Sequence, residues 1–389
     1  MKVVYLDEVP AGYSMTSSKG EGVIQVQYRG ISLSSNGKDF IRKVEGFPNT
    51  ILQLACEDFH ASNIRNFLAI IHPNNKVEVY INELEVLGEA LAAKSVKEGD
   101  AVRKSDIYHF DRIFFKDVEF PQDCGYVVIL SNGWDRVLCY DFGPLMGGEN
   151  ARPIDYDVGR IIGVGLSASI FYDVFDLDES EWDKVIQSGW FPFSYLGYEQ
   201  QKKIFNYVKQ GWDTDEIEKS IDELFCNSSA EWLMQIASNG KVSPHYDIIE
   251  SAIKYHVNEQ YDASIHILYP RIEALLREDF IRANPTREGR RQNALSEHIP
   301  TSITQHAHSV TRLFPEQFGE YILKYYFKDF NVTGVSDFVS RNTLGHGAAP
   351  SSSLNRKSSL VGFLILDQIH RYTDLSSKFE IKGLERNHP

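Results

Sequence analysis

The sequence predicts an α+β chain. A β-rich front over residues 1–150, a sandwich or half-barrel, leads through a helical connecting region, 151–240, to an all-α bundle over 241–375 and a polar tail, 376–389. Three observations predict it. Along the front, apolar side chains alternate with polar ones, the period of a half-buried strand. Beyond residue 178 they recur three and four residues apart, the period of an amphipathic helix. The charge changes with the period: 22 basic against 37 acidic residues give −15 over 1–240, whereas 7 Lys and 11 Arg against 17 acids give +1 from 241 onward.

The front elements follow from this alternation. Val23, Ile24, Val26 and Tyr28, then Ile31 and Leu33, mark one strand region. Val77, Val79, Ile81, Leu84 and Val86 mark a second, and Ile113, Phe115 and Val118 a third. Two apolar runs flank Asn132-Gly133, a turn dipeptide, and predict a hairpin. Gly159, Gly163 and Gly165 lie in GRIIGVG, which lacks the spacing of a phosphate-cradling loop and reads as close backbone packing.

The helical part begins with Trp182, Val185 and Ile186, then Ile204, Tyr207 and Val208, then Ile217, Ile221, Leu224 and Phe225, with Asp213 as an N-cap. From His245 to Asn284 one long pattern carries Ile265, Leu268, Ile272, Leu275 and Leu276, and Pro270 is expected to interrupt or kink it. A basic loop with Arg287, Arg290 and Arg291 follows. Phe318, Ile322 and Tyr325 mark the next helix, DFVSRNT another, and RKSSLVGFLILDQIHRY the last clear one.

Composition excludes several classes. With 42% hydrophobic and 24% charged residues, the chain has the makeup of a globular protein. No apolar run reaches the length of a membrane span, and the start lacks a signal-peptide core, so a cytoplasmic protein without a membrane partner is expected. Cys56, Cys124, Cys139 and Cys226 form no CxxC pair and read as inert thiols. His306 and His308 are spaced like a metal pair but lack an acidic ligand pattern, and His256 and His266 read as ordinary helix side chains, so no metal or other cofactor is expected. Trp134 and the segment Tyr140–Leu145 read as core packing rather than a groove.

The chemistry-bearing pattern is SRNTLGHGAAP. Arg341, Asn342 and His346 would not converge on one straight helix, because positions i and i+5 lie about 140° apart. Gly345, Gly347 and Pro350 end the helix near Leu344 and let the chain turn His346 back toward Arg341. The helix dipole favours a charged imidazole there and a nearby arginine opposes it, leaving a group able to take and give a proton. Arg341 can clamp phosphate oxygens, His346 can move the proton of a ribose 2′-hydroxyl, and Asn342 can orient either. Glu273 and Arg277, spaced i and i+4, form a structural pair or orient the motif from a neighbouring helix. Arg271, Arg287, Arg290, Arg291 and Lys357 are candidate phosphate contacts, or solvated surface charge. The bland alternative is a helix end at which Arg341 pairs with a carboxylate such as Glu273 and His346 caps carbonyls.

An Arg, a polar residue, a spacer and a His resembles the signature of HEPN domains. Pro270, Arg271, Glu273 and Arg277 resemble the upstream helix of one bacterial branch of that superfamily. The resemblance covers roughly residues 243–375. It implies a four- to five-helix bundle that forms a homodimer, with two motifs in one composite cleft. It implies either a metal-independent endoribonuclease leaving 2′,3′-cyclic phosphates, in antiviral defence or toxin–antitoxin systems, or a member without catalysis that serves as a binding or assembly module. RNA is the implied substrate. The acidic β-rich front is expected to sense or bind a protein partner.

Overall fold

The computed structural model describes residues 1–7, 14–15, 26–27, 31–34, 47–55, 64–94, 96–121, 124–132, 135–141, 157–175, 177–285, 291–304, 310–331 and 336–386. The chain is mixed, with small antiparallel sheets followed by a helical region. It divides into two compact units: residues 1–92 with 107–175, and residues 93–106 with 176–389. The segment 176–240 thus groups with the C-terminal helices.

The first unit is built on a six-stranded antiparallel sheet. It uses β1 (Lys2–Tyr5), β4 (Ile31–Ser34), β5 (Asn66–Ile71), β6 (Lys76–Ile81), β9 (Gly125–Asn132) and β10 (Asp135–Asp141), in the order β1-β6-β5-β9-β10-β4. Two further pairs, β2 (Ser14–Met15) with β3 (Val26–Gln27) and β7 (Val86–Ala92) with β8 (Ile107–Phe115), are separate two-stranded sheets. The expected hairpin is β9–β10, closed at the Asn132–Asp135 pair, with 133–134 outside the described residues. Its neighbour β5 is buried along nearly its whole length, so both its faces work as core.

Strand alternation sorts that core into two layers. Phe67, Ala69, Ile71, Val77, Val79, Val127 and Ile129 pack with Ile51 and Leu52 of helix α1 (Phe47–Ala55). Leu68, Ile70, Tyr126, Val128 and Leu130 pack with Ile113 and Phe115 of β8 and with Val158 and Ile162 of helix α2 (Val158–Ile170). The expected sandwich or half-barrel is therefore a sheet with helices on both faces, joined on one face by a two-stranded sheet. The glycines near residue 160 are part of α2, not of a loop. A Cβ at Gly163 would stand 2.7 Å from the Phe110 carbonyl oxygen, and one at Gly159 would stand 2.5 Å from that of Ile113. The helix lies directly on the β8 backbone because it has no side chains there.

The second unit is helical. Beyond the short α3 (Tyr172–Phe175) of the first unit come α4 (Glu179–Gln187), α5 (Tyr198–Gln210), α6 (Asp215–Ala237), α7 (Tyr246–Val257), α8 (Tyr261–Ala283), α9 (Gln292–Thr304), α10 (Pro315–Tyr321), α11 (Arg341–Gly345) and α12 (Arg356–Arg386). Asp178 and Glu181 form a capping box that starts α4. The pattern from His245, with its break expected at Pro270, is instead split into α7 and α8 at Asn258–Gln260, where Glu259 is left-handed with φ 60°. Pro270 does not interrupt α8, and its exposed ring sits on the solvent side. A π-helical turn, Ile322–Tyr326, continues α10.

The last helix, α12, is the centre of this unit and runs to Arg386, through most of the segment expected to be a tail. Residues 358–370 are buried without a polar stripe, so α12 needs neighbours on every side. It packs against α6, α7, α8 and α9. Its buried polar groups are matched: Asp367 accepts from Trp232 Nε1 (2.9 Å) and Ser194 Oγ (3.1 Å), and Gln368 accepts from the Ser194 amide (2.6 Å) and donates to Leu313 O (3.1 Å). Among the described residues, no helix is long and apolar enough to cross a membrane.

The packing of α2 fixes the sign of one substitution. In an open helix Gly→Ala stabilises by about 1 kcal/mol. Gly163→Ala is instead expected to destabilise by about 1–3 kcal/mol, because its methyl meets the Phe110 and Asp111 backbone. Urea unfolding of the two proteins measures the difference.

Candidate active site on the short helix α11

The DFVSRNT segment was expected to be helical throughout, but the helix begins only at Arg341. Ser340 is an extended N-cap (φ −139°, ψ 171°) whose side chain accepts from the Thr343 amide, while the Thr343 hydroxyl accepts from the Ser340 amide. This reciprocal box closes the N-terminus with two buried residues, and Ser340 Oγ also donates to Lys328 O (2.8 Å). At the other end Gly347 is left-handed (φ 67°), its amide reaches Leu344 O (3.1 Å), and the Ala348 amide reaches Thr343 O (2.7 Å). That is the Schellman pattern, and it makes His346 the C-cap residue. Arg341 and His346 are thus the first residue and the cap of a five-residue helix fixed at both ends.

The Arg341 side chain is turned inward at its head. Its Nε makes an ion pair with Glu273 Oε2, from α8. The other oxygen, Oε1, accepts from Arg277 Nε (2.9 Å) and Nη2 (2.5 Å). Glu273 is buried, with 7% of its surface exposed, and it joins two guanidiniums that remain half-buried. A carboxylate buried without partners is costly, and the two guanidiniums compensate that cost. Below the cluster, Tyr326 donates to Tyr269 O (2.5 Å), and burial pushes its hydroxyl pKa well above the ordinary range. The Arg341 head group also occupies the space a Cβ on Gly345 would need, so Gly345 leaves room for it.

Asn342 is held in a different way. Its Oδ1 accepts from Gln292 Nε2 (2.7 Å), and its Nδ2 lies within reach of Gln292 Oε1 (3.2 Å), Phe327 O (2.7 Å) and Asp329 Oδ1 (2.9 Å). The amide's hydrogen-bonding capacity is used within the fold. Asn342 therefore ties α11 to the start of α9 and to the chain after α10.

His346 is exposed, and its ring packs against Phe330 with centroids 5.5 Å apart. Among the described residues its imidazole has no carboxylate partner, and it is its backbone amide that bonds within the helix end.

The remaining candidates fall apart in space. Arg277 joins the cluster through Glu273. Arg271 lies two residues before Glu273 and so on nearly the opposite side of α8. Lys357 donates to Ser188 O (2.8 Å) and stands 5.2 Å above the Trp190 ring, and burial lowers its pKa. Arg291 is exposed at the start of α9, while Arg287, Arg290, His306 and His308 lie outside the described residues. Gln292, Asp329 and Phe330 also surround the motif, and nothing in the local sequence marks them. The Ser340–Thr343 box, by contrast, is signalled by the S-x-x-T spacing.

Comparison of the chain with protein-family models, with curated proteins and with solved structures returns no match.

The carboxylate between the two arginines is the group whose removal is most telling. Glu273→Gln keeps the shape and leaves two cations facing a neutral amide. It is expected to cost about 2 kcal/mol in urea unfolding. Exposed Glu320→Gln, whose partner Lys324 is also exposed, is expected to cost under about 0.5 kcal/mol.

Proposed function

We propose that the helical unit is an HEPN-type, metal-independent endoribonuclease with Arg341 and His346 as its catalytic pair. The observation that carries this is the exposed His346 imidazole at the end of the helix whose first residue, Arg341, is held by Glu273. An imidazole without a carboxylate partner is available to a substrate proton, and a guanidinium fixed through Nε keeps other N–H groups for phosphate.

In this reading His346 takes the 2′-hydroxyl proton as the 2′-oxygen attacks the adjacent phosphorus. The P–O5′ bond breaks, and the second imidazole of a homodimer protonates the leaving oxygen. Arg341 stabilises the charge that develops on the non-bridging oxygens. The products are a 2′,3′-cyclic phosphate and a 5′-hydroxyl. Glu273 and Arg277 are positioning residues, and Asn342 holds the helix instead of touching the phosphate. The antiparallel-sheet unit serves in recognition of a partner, and antiviral defence or a toxin–antitoxin pair is the setting this chemistry suits.

Two observations favour a second reading, a non-catalytic HEPN-like binding or assembly module. The ion pair with buried Glu273 partly neutralises Arg341, and Asn342 has no free donor.

The two readings diverge in purified protein. Under the first, wild type cleaves single-stranded RNA in the presence of a chelator. His346→Ala and Arg341→Ala then each lose at least about 100-fold in rate. His346→Ala is expected to keep its unfolding midpoint, because an exposed side chain contributes under about 0.5 kcal/mol. Undiminished cleavage by His346→Ala overturns the catalytic reading, and intact RNA with wild-type protein favours the second.

A further inference from the structure

Away from α11, a second group of chemically competent side chains lies where α6 meets α7. Asp222 and Cys226 are one turn apart on α6, so they share a face. His256, in the last turn of α7, faces them. One ligand atom from each of the three, a carboxylate oxygen, a thiol sulfur and an imidazole nitrogen, lies within 4.8 Å of the other two. We infer that Asp222, Cys226 and His256 form a binding site for a divalent transition-metal ion, zinc foremost, that clips α6 to α7.

The donor set decides the metal class. Bonds of about 2.0–2.3 Å in a tetrahedron place donor atoms roughly 3.3–3.7 Å apart. To reach that arrangement the 2.9 Å contact between His256 Nε2 and Asp222 Oδ1 opens, and the Cys226 sulfur closes in from within 4.8 Å. A thiolate beside an imidazole suits zinc or cobalt and disfavours magnesium and calcium, which take oxygen cages. Three protein ligands leave one tetrahedral position for water.

The surroundings are those a ligating histidine needs. His256 Nδ1 meets Ser359 Oγ at 2.8 Å, and Ser359 Oγ meets Ser264 Oγ at 2.9 Å. Both serines are fully buried. A hydroxyl that accepts from Nδ1–H fixes the tautomer with Nε2 free to ligate, and it holds the ring in place. Aromatic rings enclose the imidazole: Phe225, Tyr261 and Phe363 have centroids 5.7, 5.4 and 5.3 Å from it. Cys226 is only half-buried, which gives the ion a way in. The nearby cation Arg356 is already taken by Glu218, one turn before Asp222 (Nε to Oε1, 3.0 Å). This site is independent of the chemistry proposed for α11.

Full-length protein stripped with chelator is titrated with Zn²⁺, Co²⁺ and Mg²⁺. One equivalent of zinc is expected to bind and, at a hundredfold excess over Kd, to raise the unfolding midpoint by about 5 °C or more. Cobalt is expected to give a thiolate-to-metal charge-transfer band, and magnesium no response. Cys226→Ser and Asp222→Asn, verified as folded by circular dichroism, are expected to lose more than about 100-fold in zinc affinity, and Ser359→Ala about tenfold. If cobalt gives no thiolate band, if magnesium binds as well as zinc, or if folded Cys226→Ser binds zinc as tightly as wild type, the proposal is overturned.

Discussion

A buried carboxylate shared by two guanidiniums organises the motif end of the helical unit. Glu273 is buried, and an uncompensated buried charge costs several kcal/mol. Arg277 supplies one partner from the next turn of α8, and Arg341 supplies the other from α11, 68 positions along the chain. A local pair and a distant one thus meet at the same side chain, and the distant one anchors a helix too short to persist alone. The cluster serves packing and placement together: satisfying Glu273 is what fixes the Arg341 head group.

The rest of the motif is arranged so that this anchoring is possible. The Ser340–Thr343 box starts the helix at Arg341, which reaches Glu273, and Gly347 stops it so that His346 stands at the rim. Asn342, between them, faces α9 through Gln292. Three neighbouring motif residues therefore have separate environments: an ion pair at depth, an amide pair at the flank, and an imidazole against Phe330 at the surface. Gly345 is small because the Arg341 head group passes over it.

Much of this was legible before any coordinates. Alternation located β6, β8 and the β9–β10 hairpin, and the helical stripes found α4, α5, α6, α10 and the first half of α12. The Glu273–Arg277 pair follows from i, i+4 spacing, and its link to Arg341 was one of the two roles weighed for it. What escaped has physical causes. Strand β5 reads as a plain apolar run because both its faces are buried, so it has no period to detect. The glycines of α2 do signal close backbone packing, but not that they lie within a helix or that β8 is their neighbour. The break before α8 depends on Glu259 adopting a left-handed conformation, which the residue type does not advertise. The continuation of α12 past residue 375 is backbone helix without an apolar stripe to announce it. Asn342 looked like a phosphate ligand because its partner, Gln292, is 50 residues away and leaves no local trace.

The nature of the RNA ends bears most directly on the central claim, that a guanidinium and an imidazole on α11 promote attack by the substrate's own 2′-hydroxyl. A 5′-labelled single-stranded RNA is incubated with the full-length protein in chelator, and the new 3′ ends are identified by mass spectrometry. The expected ends are 2′,3′-cyclic phosphates, formed without added metal and absent when the nucleotide 5′ to the cleaved bond carries a 2′-deoxyribose. Ends bearing a free 3′-hydroxyl, or cleavage that continues at the deoxy-substituted position, would contradict it.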